Sequence, residues 1–185
     1  MKQMIKLGLI LALYTSIACV TLAFVNDLTK DTIASAKDKE LNEGLKIVFA
    51  QADSFEQLDS SLFPSINDVT IDAVYLAKAN DAIIGSVIKA SGATYNDATI
   101  LVGITTESTM TSIEFLELTD TPGYGQQAKE PAFKDQFIDK AIDETLALGT
   151  NVDAISGSTI TSRGIVKILN AAIESGKKAI TEGAQ

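Results

Sequence analysis

The sequence predicts an α+β protein, in which one N-terminal transmembrane helix precedes a single extracytoplasmic domain that contains an antiparallel sheet flanked by helices. Three observations support this fold class. Residues 7–25 contain no charge, several short segments between 70 and 119 have strand-like periodicity, and residues 163–180 carry apolar side chains at helical spacing. We therefore divide the chain into a transmembrane anchor at 1–26 and an extracytoplasmic domain at 27–185.

The anchor is predicted from its length and its flanking charges. The uncharged run is about as long as a helix needs to cross a hydrocarbon core of roughly 30 Å. Lys2 and Lys6 precede it, whereas Asp27 and Asp31 follow it. Because positively charged flanks stay in the cytoplasm, we expect the N-terminus inside the cell membrane and the domain outside it.

Two other interpretations of this segment stay open. A cleaved signal peptide has a short apolar region that ends at a small-x-small site, whereas this run continues past any such site. Cys19 would be the lipid-bearing residue of a lipoprotein, but Ser16 stands where a leucine is expected. An uncleaved anchor therefore fits the segment best.

Helical spacing continues after the anchor, so residues 27–50 are predicted as a linking helix that ends before Phe55. The apolar positions of this segment are Leu28, Ile33, Ala36, Leu41, Leu45 and Val48. The next stretch, FEQLDSSLFPSIND, is interpreted as a loop because Pro64 interrupts it.

Four segments with strand character follow from Thr70. They read TIDAVYLAK, AIIGSVIKA, ATILVGIT and MTSIEFLELT. Turn residues separate them at Asn80-Asp81, at 92–97 and at Glu107-Ser108. The sequence thus predicts a meander of antiparallel strands with a buried face, which the glycine-rich loop PGYGQQAKE ends.

Two helices are predicted after the sheet. The first begins at Pro131 and stops at Gly149. The apolar residues along one side of it are Phe133, Phe137, Ala141, Ile142 and Leu146. A short apolar strand, NVDAI, then leads to the terminal helix RGIVKILNAAIESGKKAI, which has an apolar stripe and a basic end.

Composition excludes several classes of chemistry. The chain has no histidine, no tryptophan and one cysteine, so we expect no metal site, no Ser-His-Asp or Cys-His catalysis and no internal disulfide. No catalytic side chain is assigned, and redox chemistry would come from a cofactor. The net charge of −9 makes nucleic acid an improbable partner.

Two clusters of small residues remain, SGAT at 91–94 and SGST at 156–159. The first lies between two predicted strands and has the residues of a hairpin turn, with no helix beside it to bind an anion. The second lies where a short strand gives way to the last helix. Helix amides, hydroxyls and a glycine at that point suit a phosphate, although simple capping of the helix explains the same residues.

The residues around the second cluster carry a family resemblance. DAISGSTITS, at 153–162, resembles the Asp-x-x-Ser-Gly-Ala-Thr-x-Thr-Ser signature of domains that carry covalent FMN. These domains occur in the RnfG protein of the Rnf electron-transport complex and the NqrC protein of the sodium-pumping NADH:quinone reductase. The resemblance implies that a flavin transferase esterifies the FMN phosphate to Thr159. It further implies a cofactor site formed by Asp153, Ser156, Gly157, Ser158, Thr161 and Ser162.

A second motif of the same family is Glu-Thr-Pro-Gly-Leu-Gly, which DTPGYG at 120–125 resembles. It adds Thr121, Pro122, Gly123, Tyr124 and Gly125 to the expected site, near the flavin ring. The chain departs from the family pattern at four positions. Ser158 replaces alanine, Asp120 replaces glutamate, Tyr124 replaces leucine, and Leu118 stands where a histidine is common. Tyr124 would be able to stack on a flavin.

The resemblance implies a membrane-anchored electron-transfer subunit of an ion-translocating ferredoxin:NAD⁺ oxidoreductase, without dehydrogenase activity of its own. Its partners would be the membrane, iron–sulfur and NAD-binding subunits of the Rnf complex. The short chain favours the RnfG type over the quinone-reductase type. Two alternatives stay open: a flavinylated carrier for another extracytoplasmic reductase, and a non-redox extracytoplasmic binding domain.

Overall fold

The computed structural model describes residues 2–183, which divide into two compact units with the boundary between Glu40 and Leu41. Three helices and six strands occur in the described residues. They are α1 (Lys2–Val48), β1 (Ser54–Leu58), β2 (Thr70–Ala79), β3 (Ala82–Ala93), β4 (Asp97–Thr105), β5 (Thr109–Leu118), α2 (Pro131–Lys134), β6 (Lys140–Ala141) and α3 (Thr159–Gly183). This content confirms the predicted α+β class.

Helix α1 contains the predicted anchor. Its side chains from Lys2 to Glu40 are all exposed, including the apolar ones. The helix is long and apolar enough to cross a membrane by length and composition, with a mean hydropathy of 2.2 over its most apolar window. An apolar surface of this kind is stable in a bilayer rather than in water.

The six strands form one antiparallel sheet in the order β1-β2-β3-β4-β5-β6. All four strands predicted from Thr70 onward are present, so the meander is confirmed. Asn80 and Asp81 have φ values of 49° and 63° and join β2 to β3. Two consecutive positive φ values are typical of the tight turns whose twist matches that of antiparallel strands.

Both faces of the sheet are covered, because alternate residues of each strand point in opposite directions. One face packs against α3, and the core between them includes Ile88 and Ile100 from the sheet and Leu169 from the helix. The other face packs against the segment that contains Leu45 and Phe49. The sequence predicted one buried face of the sheet, whereas apolar residues are buried on both faces.

The loop predicted at 55–68 is partly wrong, because Ser54–Leu58 form strand β1. This strand pairs with β2 from Ser54 opposite Lys78 to Leu58 opposite Val74. Its side chains are mostly exposed, so the segment lacks the alternation that identifies a strand. The unpaired edge of β2 offers backbone donors and acceptors that a sequence pattern does not show.

The helix predicted from Pro131 to Gly149 is also wrong beyond its first turns. Helix α2 ends at Lys134, a 3₁₀ turn covers Asp135–Phe137, and Lys140–Ala141 pair with β5 as strand β6. Asp139, with a φ of 52°, ends the helical path. Phe137, Ile142 and Leu146 are still buried. The apolar spacing therefore predicted correctly that these residues are buried, but it did not predict the backbone conformation.

Two boundaries near the small-residue clusters differ from expectation. Strand β3 runs through Ala93 and β4 begins at Asp97, so the predicted turn at 92–97 shortens to 94–96. The predicted strand at 151–155 is only an isolated bridge between Leu148 and Val152. Helix α3 begins at Thr159, four residues before the predicted start.

Candidate functional site

A cavity of about 460 Å³ lies where three segments meet: the turn after β3, the loop after β5 and the first turn of α3. Its volume is in the range of small-molecule sites. The residues that line it are Tyr95, Thr121, Tyr124, Gly125, Gly157, Ser158, Thr159, Ile160 and Thr161. No charged side chain is among these lining residues.

A tight turn places Thr159 at the first position of α3. Gly157 has a φ of +75°, a conformation that other residues rarely adopt, and Ser158 N donates to Ile155 O at 3.0 Å. The Ser162 hydroxyl stabilises the turn from behind, because it accepts from Ile155 N at 2.9 Å and donates to Ser158 O at 3.0 Å. The Thr159 side chain is exposed.

Asp120 connects the two small-residue clusters. It is only 1% exposed and accepts hydrogen bonds from two hydroxyls, Thr94 Oγ1 at 2.7 Å and Thr161 Oγ1 at 2.6 Å. The backbone amides of Tyr95 and Asn96 also donate to it, at 3.3 Å and 2.7 Å. One carboxylate therefore fixes the turn after β3 against the first turn of α3.

Burial and hydrogen bonding act in opposite directions on the pKa of Asp120. Burial is the largest single influence and raises the pKa, because it penalises the charged form. The hydroxyls of Thr161 and Thr94 and the amides of Asn96 and Tyr95 together outweigh burial and hold the pKa below its ordinary value of 3.8. Asp120 is therefore a carboxylate at neutral pH.

Gly125 allows the loop after β5 to approach this carboxylate. A Cβ at position 125 would lie 2.6 Å from Asp120 Cβ and 2.7 Å from Thr161 Oγ1. Further along the loop, Gln127 Nε2 donates to Gly123 O at 2.6 Å. These contacts hold Tyr124, which is 60% exposed, at the rim of the cavity.

Seven of the residues expected at the site line the cavity together. They are Thr121, Tyr124, Gly125, Gly157, Ser158, Thr159 and Thr161. Ser162 lies behind the turn that it stabilises, while Pro122 and Gly123 are exposed next to the lining residues without forming part of the wall.

Asp153 and Ser156 lie elsewhere, at a second cavity of about 450 Å³. The Gln136 side chain binds the backbone there, since its Oε1 accepts from Asp153 N at 2.7 Å and its Nε2 donates to Asp153 O at 3.3 Å. The Asp153 side chain is exposed. The structure thus separates the first residues of the motif from the cavity that its last residues line.

The sequence interpretation missed Tyr95, Ile160 and the role of Thr94. The first cluster was assigned to a turn only, whereas the buried Thr94 hydroxyl helps to hold Asp120 and the exposed Tyr95 forms part of the cavity wall. The one sequence feature that pointed to this contact was the aspartate at 120, because a carboxylate that becomes buried needs hydrogen-bond donors. Nothing in the local sequence indicates that two of those donors come from residues 94 and 161.

The lining residues fit a phosphorylated flavin better than a metal ion. No group of three or more potential metal ligands occurs among residues 2–183. The first amides of α3 have no partner within the helix, and the buried Ser158 Oγ has no hydrogen-bond partner. These donors suit a phosphate. The rings of Tyr95 and Tyr124 offer aromatic surface to a flavin ring system.

Comparisons with known proteins agree with this chemistry. The FMN-binding domain family matches residues 95–174, and the RnfG N-terminal region matches residues 1–48. The first match covers the three segments that line the cavity. The second covers the predicted anchor and the rest of helix α1.

Several named proteins are similar over most of the chain. The G subunit of the Na⁺-translocating ferredoxin:NAD⁺ oxidoreductase complex of Acetobacterium woodii is 29% identical, over 94% of this chain and 91% of its own length. The G subunit of the ion-translocating oxidoreductase complex of Methanosarcina acetivorans is 28% identical, over 94% of both chains. A solved structure, NqrC of Shewanella oneidensis, covers 55% of this chain and 53% of its own with a TM-score of 0.44 and 20% identity.

Proposed function

We propose that this chain is a membrane-anchored electron-transfer subunit of an ion-translocating ferredoxin:NAD⁺ oxidoreductase complex, with FMN bound covalently at Thr159. The matches of residues 95–174 to the FMN-binding domain family and of residues 1–48 to the RnfG N-terminal region support this proposal. The observation that carries this function is the cavity at the start of α3, where an exposed threonine, unpaired donors and two tyrosines meet. The Acetobacterium woodii relative is named as a subunit of a Na⁺-translocating ferredoxin:NAD⁺ oxidoreductase complex, and the Methanosarcina acetivorans relative as a subunit of an ion-translocating oxidoreductase complex.

Different residues of the cavity would bind different parts of the cofactor. Thr159, Ser158 and the first amides of α3 would hold the phosphate, and the rings of Tyr95 and Tyr124 would contact the flavin ring system. Asp120 holds the segments that carry these groups in place through Thr94 and Thr161. When bound, FMN supplies the electron transfer itself.

The protein's own contribution is binding and positioning rather than acid–base catalysis. The chain has no histidine, and the one buried carboxylate of the site is fully engaged by four donors. We therefore expect no dehydrogenase activity from the isolated chain. It would pass electrons between neighbouring subunits of the complex, whose other members would include iron–sulfur and NAD-binding subunits.

Covalent attachment would form one bond and break another without any transfer of electrons. The Thr159 hydroxyl oxygen forms an ester bond to the phosphorus of FMN and loses its proton. With a flavin dinucleotide as the donor, the bond between its two phosphates breaks and a nucleoside monophosphate leaves. A flavin transferase would catalyse this step, and the exposed position of Thr159 gives an enzyme access to the hydroxyl.

The proposed orientation follows from the charges around the anchor. Lys2 and Lys6 stay in the cytoplasm, and the domain that contains the cavity lies on the extracytoplasmic side of the cell membrane. A covalent bond would prevent the loss of FMN into that compartment.

The attachment is tested by producing the full chain together with a flavin transferase. We expect a fluorescent band in a denaturing gel and a mass increase of one FMN group. Both are lost in Thr159→Ala, which removes the acceptor hydroxyl, and kept in Thr106→Ala, which removes an exposed threonine hydroxyl in the turn between β4 and β5. A wild-type chain that acquires no FMN under these conditions contradicts the proposal.

Membership of the complex is tested separately by purification from membranes. A tagged full chain should co-purify with iron–sulfur and NAD-binding subunits. Recovery of a flavin-bearing chain without them would support the alternative, a carrier for a different reductase.

A further inference from the structure

One buried hydroxyl in the site has no partner. Ser158 is 6% exposed, and among the residues that the structure describes its Oγ is the buried side-chain polar atom without a hydrogen bond. The other buried hydroxyls nearby are satisfied, since Thr161 donates to Asp120 and Ser162 bonds to Ile155 and Ser158 backbone groups. The lack of a partner is therefore specific to Ser158.

The position of Ser158 makes this lack unusual. It directly precedes α3, where a serine oxygen normally accepts from an amide two or three residues further on. Here the hydroxyl makes no such cap. A buried hydroxyl without a partner lowers the stability of the unliganded protein. A ligand that forms a hydrogen bond with Ser158 Oγ would remove this cost.

The wall of the cavity indicates which ligand this is. Ser158 lines the cavity next to Thr159, and no lysine or arginine is among the lining residues. A phosphate at this point would depend on neutral donors, namely the first amides of α3 and a hydroxyl. A phosphate has only acceptor oxygens there, so the serine would act as the donor.

We propose that Ser158 Oγ donates a hydrogen bond to the phosphate of the FMN attached to Thr159. This inference rests on the proposed function. Ser158 is then a specificity residue of this chain, because the signature that it resembles has an alanine, which cannot make the bond. The serine adds to the cradle of helix amides a donor that acts only when the cofactor is attached.

The test compares the thermal stability of the full chain in detergent, with and without FMN. Unloaded protein is produced without the flavin transferase and loaded protein with it. In the unloaded form, Ser158→Ala should leave Tm unchanged or slightly raised, because no bond is lost. In the loaded form the same substitution should lower Tm by roughly 3–8 °C, because a bond to a charged group is lost. A ³¹P NMR spectrum should show the phosphodiester resonance shifted in loaded Ser158→Ala and kept in Ser158→Thr.

A second buried serine is the matched control. Ser86, in strand β3, is fully buried and donates to Gly176 O at 3.2 Å. Gly176 lies on α3, like the residues that follow Ser158, but away from the cavity. Ser86→Ala should therefore lower Tm equally in the loaded and unloaded forms. A role of Ser158 in folding alone, or a bond to water, would give this same pattern and would overturn the inference.

The remaining outcomes separate the two proposals. If Ser158→Ala leaves the ³¹P resonance of the loaded protein unchanged and shifts its Tm no more than it shifts that of the unloaded protein, the phosphate contact is overturned and the FMN site is left intact. A wild type that acquires no FMN overturns both. If Ser158→Ala folds but does not load, loading of Ser158→Thr supports the contact, and failure of both variants overturns it.

Discussion

At the scale of single residues, Asp120 determines how the site is held together. It collects two hydroxyls and two amides from segments that are distant in sequence, and all four hydrogen bonds are made by one buried carboxylate. Its position within DTPGYG places it directly before the loop that carries Tyr124. A change at this residue therefore affects the turn after β3, the loop and α3 at once.

Asp120→Asn tests this role through stability. The amide nitrogen of asparagine cannot accept from the Tyr95 amide, so a partly buried donor would lose its partner. We expect the free energy of unfolding at pH 7 to fall by about 1–3 kcal/mol. Urea unfolding of the full chain in detergent measures this free energy. Asp97→Asn, which changes an exposed carboxylate near the same turn, is the control and should shift it by less than about 0.5 kcal/mol.

The pH dependence of this effect has a definite sign. The pKa of Asp120 in the folded protein lies below its ordinary value of 3.8, so the carboxylate stabilises the fold fully above that value. This contribution is lost as the pH falls through the lowered pKa. The difference in the free energy of unfolding between wild type and Asp120→Asn should therefore be constant near neutrality and should decrease below about pH 4. A difference that grows on acidification would contradict the assignment.

At the scale of elements, the site depends on how closely α3 approaches the end of β3. A Cβ at Gly164 would lie 2.5 Å from Ala93 O and 2.6 Å from Thr94 Cα. These are backbone atoms, which have little room to move. The missing side chain at 164 thus lets the first turns of the helix reach the residues that contact Asp120.

Gly164→Ala tests this packing. In an unconstrained helix, the change from glycine to alanine stabilises by roughly 1 kcal/mol. Here we expect the opposite sign, with the free energy of unfolding lowered by about 1–3 kcal/mol because the methyl group has no space. Arg163→Ala, at the exposed neighbouring position, should stay within about 0.5 kcal/mol of wild type. A stabilised Gly164→Ala would show that the approach is looser than the structure indicates.

The elements differ in how far local sequence determined them. Strands β2 to β5 and helix α3 were predictable because their apolar residues follow one period over a long segment. Strand β1 and strand β6 were not, because each depends on an edge offered by a neighbouring strand. The segment after Pro131 kept its predicted burial at Phe137 and Ile142 but lost its helix where β6 pairs with β5.

At the scale of the whole molecule, membrane anchoring and orientation are separate questions. The length and apolar surface of α1 support an anchor, whereas the orientation is proposed from Lys2 and Lys6. The division into an anchor at 1–26 and a domain at 27–185 also stays a prediction. The compact unit of the fold begins at residue 41.

Cysteine labelling tests the orientation. In a Cys19→Ser background, a membrane-impermeant maleimide should label Glu107→Cys, in the exposed turn between β4 and β5, in intact spheroplasts. Gln3→Cys, which leaves Lys2 and Lys6 in place, is the control for the other side and should react only after lysis. Labelling of Gln3→Cys alone in intact spheroplasts would reverse the proposed orientation.

The sequence by itself determined the α+β class, the anchor, the strand meander and the family signature at 153–162 that contains Thr159. These features depend on periodicity, uninterrupted apolar length and short contiguous motifs, all of which are local properties of a chain. Only the tertiary structure decided that the SGAT at 91–94 belongs to the same site as the SGST at 156–159. The reason is physical: a buried carboxylate needs several donors, and Asp120 finds them in Thr94 and Thr161, which become neighbours only when α3 packs across the sheet.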